Sequence, residues 1–187
     1  MHAIDSISSE HRLIERVVAV IEQATARLEL RERVAPSLFS EAIQFLQAFM
    51  PAWHEAKEEQ VFFPAMVDHG MSGYGGPICA MLFEHQRGHD LADGLGRAVA
   101  AWLAGDETAK RSVSSNAREY ASFLRAHIAK EERILFPTAL RIIPAQDDAA
   151  LMTGFAHVED EQGGEAAKRD HAATVQHLEG ELLAEQH

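Results

Sequence analysis

The chain has 187 residues, a net charge of −12 with histidines neutral, and a single cysteine, Cys79. That length suits one domain that buries most of its apolar surface and is short for two. The acidic balance, with basic residues scattered instead of clustered, argues against nucleic acid and anionic membranes as partners, and a lone cysteine cannot form an internal disulfide.

Residue usage favours helix formers, aromatics are scarce, and no sustained period-two alternation marks a sheet, so an all-α fold is expected. The first twenty residues lack a basic start followed by an apolar run. Neither a secretory signal nor a membrane span is therefore expected, and the cytoplasm is the expected location.

In chain order, Ile7, Ile14, Val17, Val18, Ile21 and Leu28 recur at helical spacing and predict a first helix to about Leu30. Ser6, Ser8 or Ser9 is its candidate cap, and His11 falls on its apolar face. After a break at residues 34–37, Ser37 can cap a second helix with Phe39, Ile43, Leu46, Phe49 or Met50, and Trp53 facing inward. It runs to Pro64 or a little beyond and carries His54 and Glu58 near its end.

The glycine-rich stretch 68–77 reads as a loop, followed by a third helix from about Pro77 to Ala104 bearing His85 and His89. Gly105-Asp106 breaks the pattern. A fourth helix, from about Glu107 to Arg141, buries Val113, Tyr120, Leu124, Ile128 and Ile134 and holds His127 and Glu131 in its second half. Pro144 ends it, and residues 146–187 read as one or two helices interrupted at Gly163-Gly164, packed on the rest or partly mobile, with no chemistry concentrated there. The expected architecture is an antiparallel up-down four-helix bundle over residues 1–145 with one or two C-terminal helices added.

The segment from His54 to Pro64 returns 73 residues later, from His127 to Pro137, with seven of its eleven residues kept. Glu10-His11 precedes the first copy by about forty residues, and Glu84-His85 precedes the second by nearly the same interval. Each half thus reads His, a gap that fits a helical hairpin, then His-x-x-x-Glu, a spacing that puts both side chains on one helical face. His11, His54, Glu58, His85, His89, His127 and Glu131 together offer five imidazoles and two carboxylates at one level of a bundle. Such donors suit first-row metals such as iron, manganese, zinc or copper, are a poor cage for calcium or magnesium, and suffice for two ions bridged by carboxylates. Without metal, inward-facing groups of this kind would each cost about 1–3 kcal/mol.

This ordered pattern, with its Glu-Glu-x-x-x-Phe-Pro tails, resembles the hemerythrin-like family, also described as the HHE cation-binding domain, over roughly residues 5 to 141. The resemblance implies a non-haem di-iron centre with an oxygen or hydroxide bridge. In it His85, His89 and His127 hold one iron, His11 and His54 the other, and Glu58 and Glu131 bridge. It also implies an open position for dioxygen, nitric oxide or another small ligand. The oxygen carriers of the family place an aspartate five residues after the last histidine, so Glu132 is an alternative to Glu131, which internal symmetry with Glu58 favours. The counterpart of His89 is Glu15, an alternative ligand.

Function is less constrained. A protein binding or sensing dioxygen, nitric oxide or iron is the leading reading. A di-iron enzyme is the alternative, acting in peroxide turnover, ferrous oxidation or iron–sulfur cluster repair, although the repair branch carries a cysteine-containing N-terminal module with no counterpart here. A metal-dependent module that dimerises through its C-terminal helices is a third. Plain roles are expected elsewhere. Glu59 and Glu132 read as surface charges, Lys57 and Lys130 as solvated, Tyr120 as core, Cys79 as inert, and His2, His69, His157, His171, His177 and His187 as solvated or hydrogen-bonded. Phe63-Pro64 and Phe136-Pro137 read as packing and kink devices.

Overall fold

The computed structural model describes residues 1–184, so His187 lies outside the described residues. Among the described residues six helices form and no strand does. Helix α1 is His2–Glu29. Helix α2 begins as Pro36–Phe49 and continues through a π turn at Met50–His54, an α segment Glu55–Lys57 and a second π turn at Glu58–Phe62 to end with Phe63–Asp68. Helix α3 is Gly76–Leu103. Helix α4 is Lys110–Lys130, prolonged by a π turn at Glu131–Leu135 into Phe136–Ile142. Helices α5, Asp148–Glu161, and α6, Gly164–Ala184, complete the described residues.

Helices α1 to α4 close a bundle in which α1 packs on α2 and α4, and α3 on α2 and α4. The expected all-α bundle with two added helices is what forms. Two apolar clusters fill it. One runs along α1 to α4 from Ile14, Phe39, Leu95 and Val113 and includes Val175, Leu178 and Leu182 of α6. The other gathers Ile7, Phe62, Phe63, Met66, Met81, Leu135 and Phe136 with Leu151 and Phe155 of α5. The histidines and glutamates singled out above lie in the layer between these clusters, where α1 passes from Ile7 to Ile14 through His11.

The start of α1 differs from expectation, because its cap comes from across the molecule. Asp148, in the first turn of α5, accepts from the backbone N–H groups of His2 at 2.8 Å and Ala3 at 3.0 Å. Ser6, Ser8 and Ser9 are interior helical positions, and Ala35 with Pro36 opens α2 instead of Ser37. A carboxylate supplied by another helix satisfies the same orphan donors that a local serine would.

The hairpin turns are copies of one another. Gly105 adopts φ +97° and Asp106 N–H donates to Ala101, five residues back, while Arg31 adopts φ +62° and Glu32 N–H donates to Arg27 in the same pattern. Only glycine takes this left-handed cap without steric cost, so the first hairpin carries strain that the second lacks.

The π turns explain an irregularity in the repeat. His54 stands 18 positions after Pro36, whereas His127 stands 17 after Lys110, and the turn at Met50–His54 absorbs the extra residue. The other two π turns are matched. Phe63 N–H reaches back five residues to the carbonyl of Glu58, and Phe136 N–H reaches Glu131. A proline follows each. In an α register its ring would collide with the carbonyl four residues back, and widening the turn removes that collision. The extra residue also shifts the helical phase. Leu135 is buried and Ile134 is 57% exposed, which corrects the expectation that Ile134 faces the core.

Candidate metal centre

Each helix of the bundle delivers its own part of the layer: α1 brings His11, α2 His54 and Glu58, α3 His85, and α4 His127 and Glu131. All six are buried, at 3% exposure or less. Their ligating atoms converge. His11 Nε2 lies 3.1 Å from Glu131 Oε2, and His127 Nε2 lies 3.4 Å from Glu131 Oε1. His85 Nε2 and His54 Nε2 lie 3.3 and 3.9 Å from Glu58 Oε2. One atom each from His11, His54, Glu58 and Glu131 falls within a 4.8 Å group, and His85, His127 and Glu131 form a second group of the same size. Glu131 belongs to both, and Glu58 touches His85 as well as its own group.

The four Nε2 atoms and all four carboxylate oxygens of Glu58 and Glu131 have no hydrogen-bond partner. Eight buried polar atoms left so are costly, and a cation held among them would satisfy them.

The opposite nitrogen of every ring is held. His11 Nδ1 pairs with Glu132 at 3.2 Å, His54 Nδ1 with Glu10 at 3.1 Å, His85 Nδ1 with Glu59 at 2.6 Å and His127 Nδ1 with Glu84 at 3.1 Å. A carboxylate on Nδ1 fixes the ring orientation and turns the Nε2 lone pair toward the cavity. Phenylalanines set the ring planes: Phe136 stacks on His11, Phe63 on His85, Phe49 on His54 and Phe123 on His127, with centroids 5.5 to 6.5 Å apart. Phe49 precedes its histidine by five residues and Phe123 by four, a difference the π turn at Met50–His54 accommodates.

Charge in the cavity is unbalanced without a cation. Burial opposes protonation of His11, but the adjacent Glu131 carboxylate, with Glu58 and Glu132 adding, raises it to about 9. Burial at His85 is likewise overcome, by Glu58 and Glu59 with Glu55, and the ring is raised to about 10. Burial dominates at His54, lowered to about 3 against the pull of Glu58, and lowers His127 also. The inward carboxylates therefore draw positive charge into the layer, and two of the four rings resist supplying it as protons. A pair of dications would supply it while taking every free lone pair.

Six of the seven candidate ligands are thus brought together, and His89 is not. Its Nε2 pairs with Glu55 at 2.7 Å, one turn away from the cavity, and its side chain is 38% exposed. Antiparallel packing is the reason, since four residues forward on α3 lie level with four residues back on α2. Glu131, not Glu132, points inward, and Glu15 turns outward to Arg125 at 4.0 Å. The described ligands give two histidines to each group in place of three and two.

The Lys57 expectation is overturned. Lys57 is fully buried, and its ammonium bonds both Glu10 and Glu159 of α5. Its counterpart Lys130 bonds Glu84 but stays 45% exposed. Glu59 and Glu132, expected as plain surface charges, keep about two-fifths of their side chains exposed yet hold His85 and His11. The C-terminal helices, expected to carry no chemistry, contribute Glu159 and also His171. That ring stands edge-on to Phe45, Phe49 and Trp53 with Nδ1 unpartnered. Tyr120 is core, as expected. The repeat itself held the missed signal: Glu10 and Glu84, Lys57 and Lys130, and Glu59 and Glu132 are identical in both halves.

Comparison with known proteins agrees with this geometry. The family model of the hemerythrin HHE cation-binding domain matches residues 2–139. The uncharacterised protein Rv1995 of Mycobacterium tuberculosis is 24% identical over 181 residues, covering 96% of this chain and 70% of that protein. The iron–sulfur cluster repair protein YtfE of Salmonella schwarzengrund is 29% identical over 144 residues, 74% of this chain and 64% of that one. No solved structure matches significantly. With the match spanning all four bundle helices and every one of the six convergent residues, the chain belongs to the hemerythrin HHE cation-binding domain family.

Proposed function

We propose that this chain is a non-haem di-iron protein that binds or senses dioxygen, or a ligand of similar size such as nitric oxide. The observation that carries the reading is the set of eight unpartnered ligating atoms, from four histidines and two shared glutamates, in one buried layer. In this assignment His11 and His54 hold one ion, His85 and His127 the other, and Glu58 and Glu131 are shared. Four imidazoles with two carboxylates suit first-row metals over calcium or magnesium, and leave both ions short of a full shell.

Two ferrous ions, if held by these residues, would supply one-electron chemistry toward a diatomic ligand. The chain supplies the rest. Glu10, Glu59, Glu84 and Glu132 keep the rings aligned, and the stacked phenylalanines with Phe62 exclude bulk water. A largely apolar groove of about 360 Å³ lies between α3 and α4, lined by Pro77, Ala80, Met81, Ile134 and Leu135 with Lys130 at its edge. Such a lining favours an uncharged ligand. The reading also places the protein in the cytoplasm, where ferrous iron and the exposed Cys79 both stay reduced.

A second reading, handling of iron for cluster repair, is favoured by the similarity to the YtfE proteins. Anaerobic reconstitution with ferrous ion separates the two. Loading near two irons per chain and an optical change that oxygen produces and argon reverses support binding or sensing. Irreversible oxidation, or transfer of iron to an apo iron–sulfur protein, supports the second. Glu58→Ala is expected to retain at most one ion, and unchanged loading in that variant would overturn the shared-carboxylate assignment.

A further inference from the structure

Between α2 and α3, on the outer side of the buried layer, a second ladder of ligating side chains continues. His85 faces Glu59 across the helix pair at 2.6 Å, and one turn along His89 faces Glu55 at 2.7 Å. One oxygen each of Glu55 and Glu59 and one ring nitrogen of His85 lie within 4.8 Å of one another. Glu55 is only 3% exposed, and among the described residues no lysine or arginine pairs with either glutamate.

The duplication provides the comparison that gives this cluster meaning. The counterpart of Glu59 is Glu132, which holds His11 in the same way, so a glutamate on the ring nitrogen belongs to the repeated device. Glu55 and His89 do not. Where the first copy has Glu55 the second has Ile128, buried in the apolar core, and the position matching His89 is Glu15, turned to Arg125. Holding a histidine ring therefore requires neither an additional buried carboxylate nor an additional imidazole. One half of the molecule nevertheless has both, facing each other beside a second acidic group, Glu59.

We propose that Glu55 and Glu59, grouped about the His85 ring, form with His89 on Glu55 a third cation site, open to solvent at Glu59 and His89, which takes a divalent first-row transition metal. Two carboxylates and one imidazole are mixed donors of the kind that ferrous, manganous or zinc ions accept, with water filling the remaining positions. The all-oxygen shell that calcium and magnesium prefer is not offered. The side chains of His89 and Glu59 are 38% and 41% exposed, so an ion reaches them from water without opening the bundle. Glu59 also holds His85, a proposed ligand of the buried pair, and so links the outer site to the inner one through one imidazole. The site stages ions entering or leaving the pair; this staging role rests on the di-iron reading, and the site itself does not.

The test uses the full chain and cobaltous ion alone, counted by equilibrium dialysis and located by anomalous scattering in crystals. The wild-type chain is expected to hold three ions, the third more weakly. His89→Ala and the nearly isosteric Glu55→Gln should each weaken that third ion at least about tenfold while the other two remain. A wild-type chain that saturates at two ions, or a third ion undiminished in both variants, would overturn the proposal. A single ion in the wild type that His89→Ala abolishes would uphold the outer site and bring down the di-iron reading instead.

Discussion

The two lysines of the repeat offer a matched experiment in burial. Lys57 and Lys130 occupy equivalent positions and each bonds the glutamate preceding a histidine, but Lys57 is fully enclosed and Lys130 is 45% exposed. Lys57→Met keeps the apolar stem and deletes the charge. Glu10, 9% exposed, then loses its cation, and Glu159, 16% exposed, is left with Lys168 at 3.9 Å. Breaking a buried ion pair from one side costs about 3–5 kcal/mol. Trp53 Nε1 still donates to Glu10 at 3.1 Å, which moves the expectation to the lower end, about 3 kcal/mol. Lys130→Met removes an exposed pair and should cost no more than about 1 kcal/mol. Urea unfolding of both variants, performed on chelated protein so that metal binding does not add to apparent stability, reads the difference directly. Costs that agree within about 0.5 kcal/mol at equal m-values would refute the claim that α5 converts one copy of a surface pair into a buried one.

Two further perturbations test the backbone. Arg31 sits in the left-handed cap that glycine occupies in the other hairpin, so Arg31→Gly should stabilise the chain by about 1 kcal/mol, read as a higher denaturation midpoint; destabilisation would mean that the Arg31 side chain earns its place by a contact. Pro137→Ala restores an N–H and lets the turn at Glu131–Leu135 relax toward an α register. The chelated protein should gain up to about 3 kcal/mol while iron, followed by dialysis against a chelator, is held about tenfold less tightly. A variant with unchanged iron retention would show that the π turn does not set the position of Glu131.

What could be read from the sequence was what is local. Helix spans follow from apolar spacing and from breakers such as Gly105 and Pro144, and the convergence of His11, His54, Glu58, His85, His127 and Glu131 follows once two hairpins are recognised as copies. Two of the failures share one cause, dependence on a partner distant in the chain. Asp148 caps α1 from 145 residues away, and Glu159 buries Lys57 across 102. Neither distance has a signature in composition or periodicity. His89 failed for a geometric reason: its spacing from His85 is right for one helical face, but a face one turn longer reaches past the cavity to Glu55. Ile134 failed because the π turn adds a residue that an unbroken 3.6-residue period cannot anticipate.

The same duplication separates what holding metal requires from what this chain adds. Residues identical in both copies, the Glu-His pairs, the lysines and the Glu-Glu pairs, each sit on a ring nitrogen, in the shared position, or on the partner of one, so they define a minimal device for aligning four imidazoles. The differences all act to distinguish the two ends of the layer. On one side α5 closes over Lys57 and seals the approach to His54 through Glu10. On the other, His127 rests on Glu84 and the exposed Lys130, beside the apolar groove over Met81 and Leu135. A symmetric pair of ions in this layer would therefore experience unequal surroundings, one ion shielded behind Lys57 and the other near the groove.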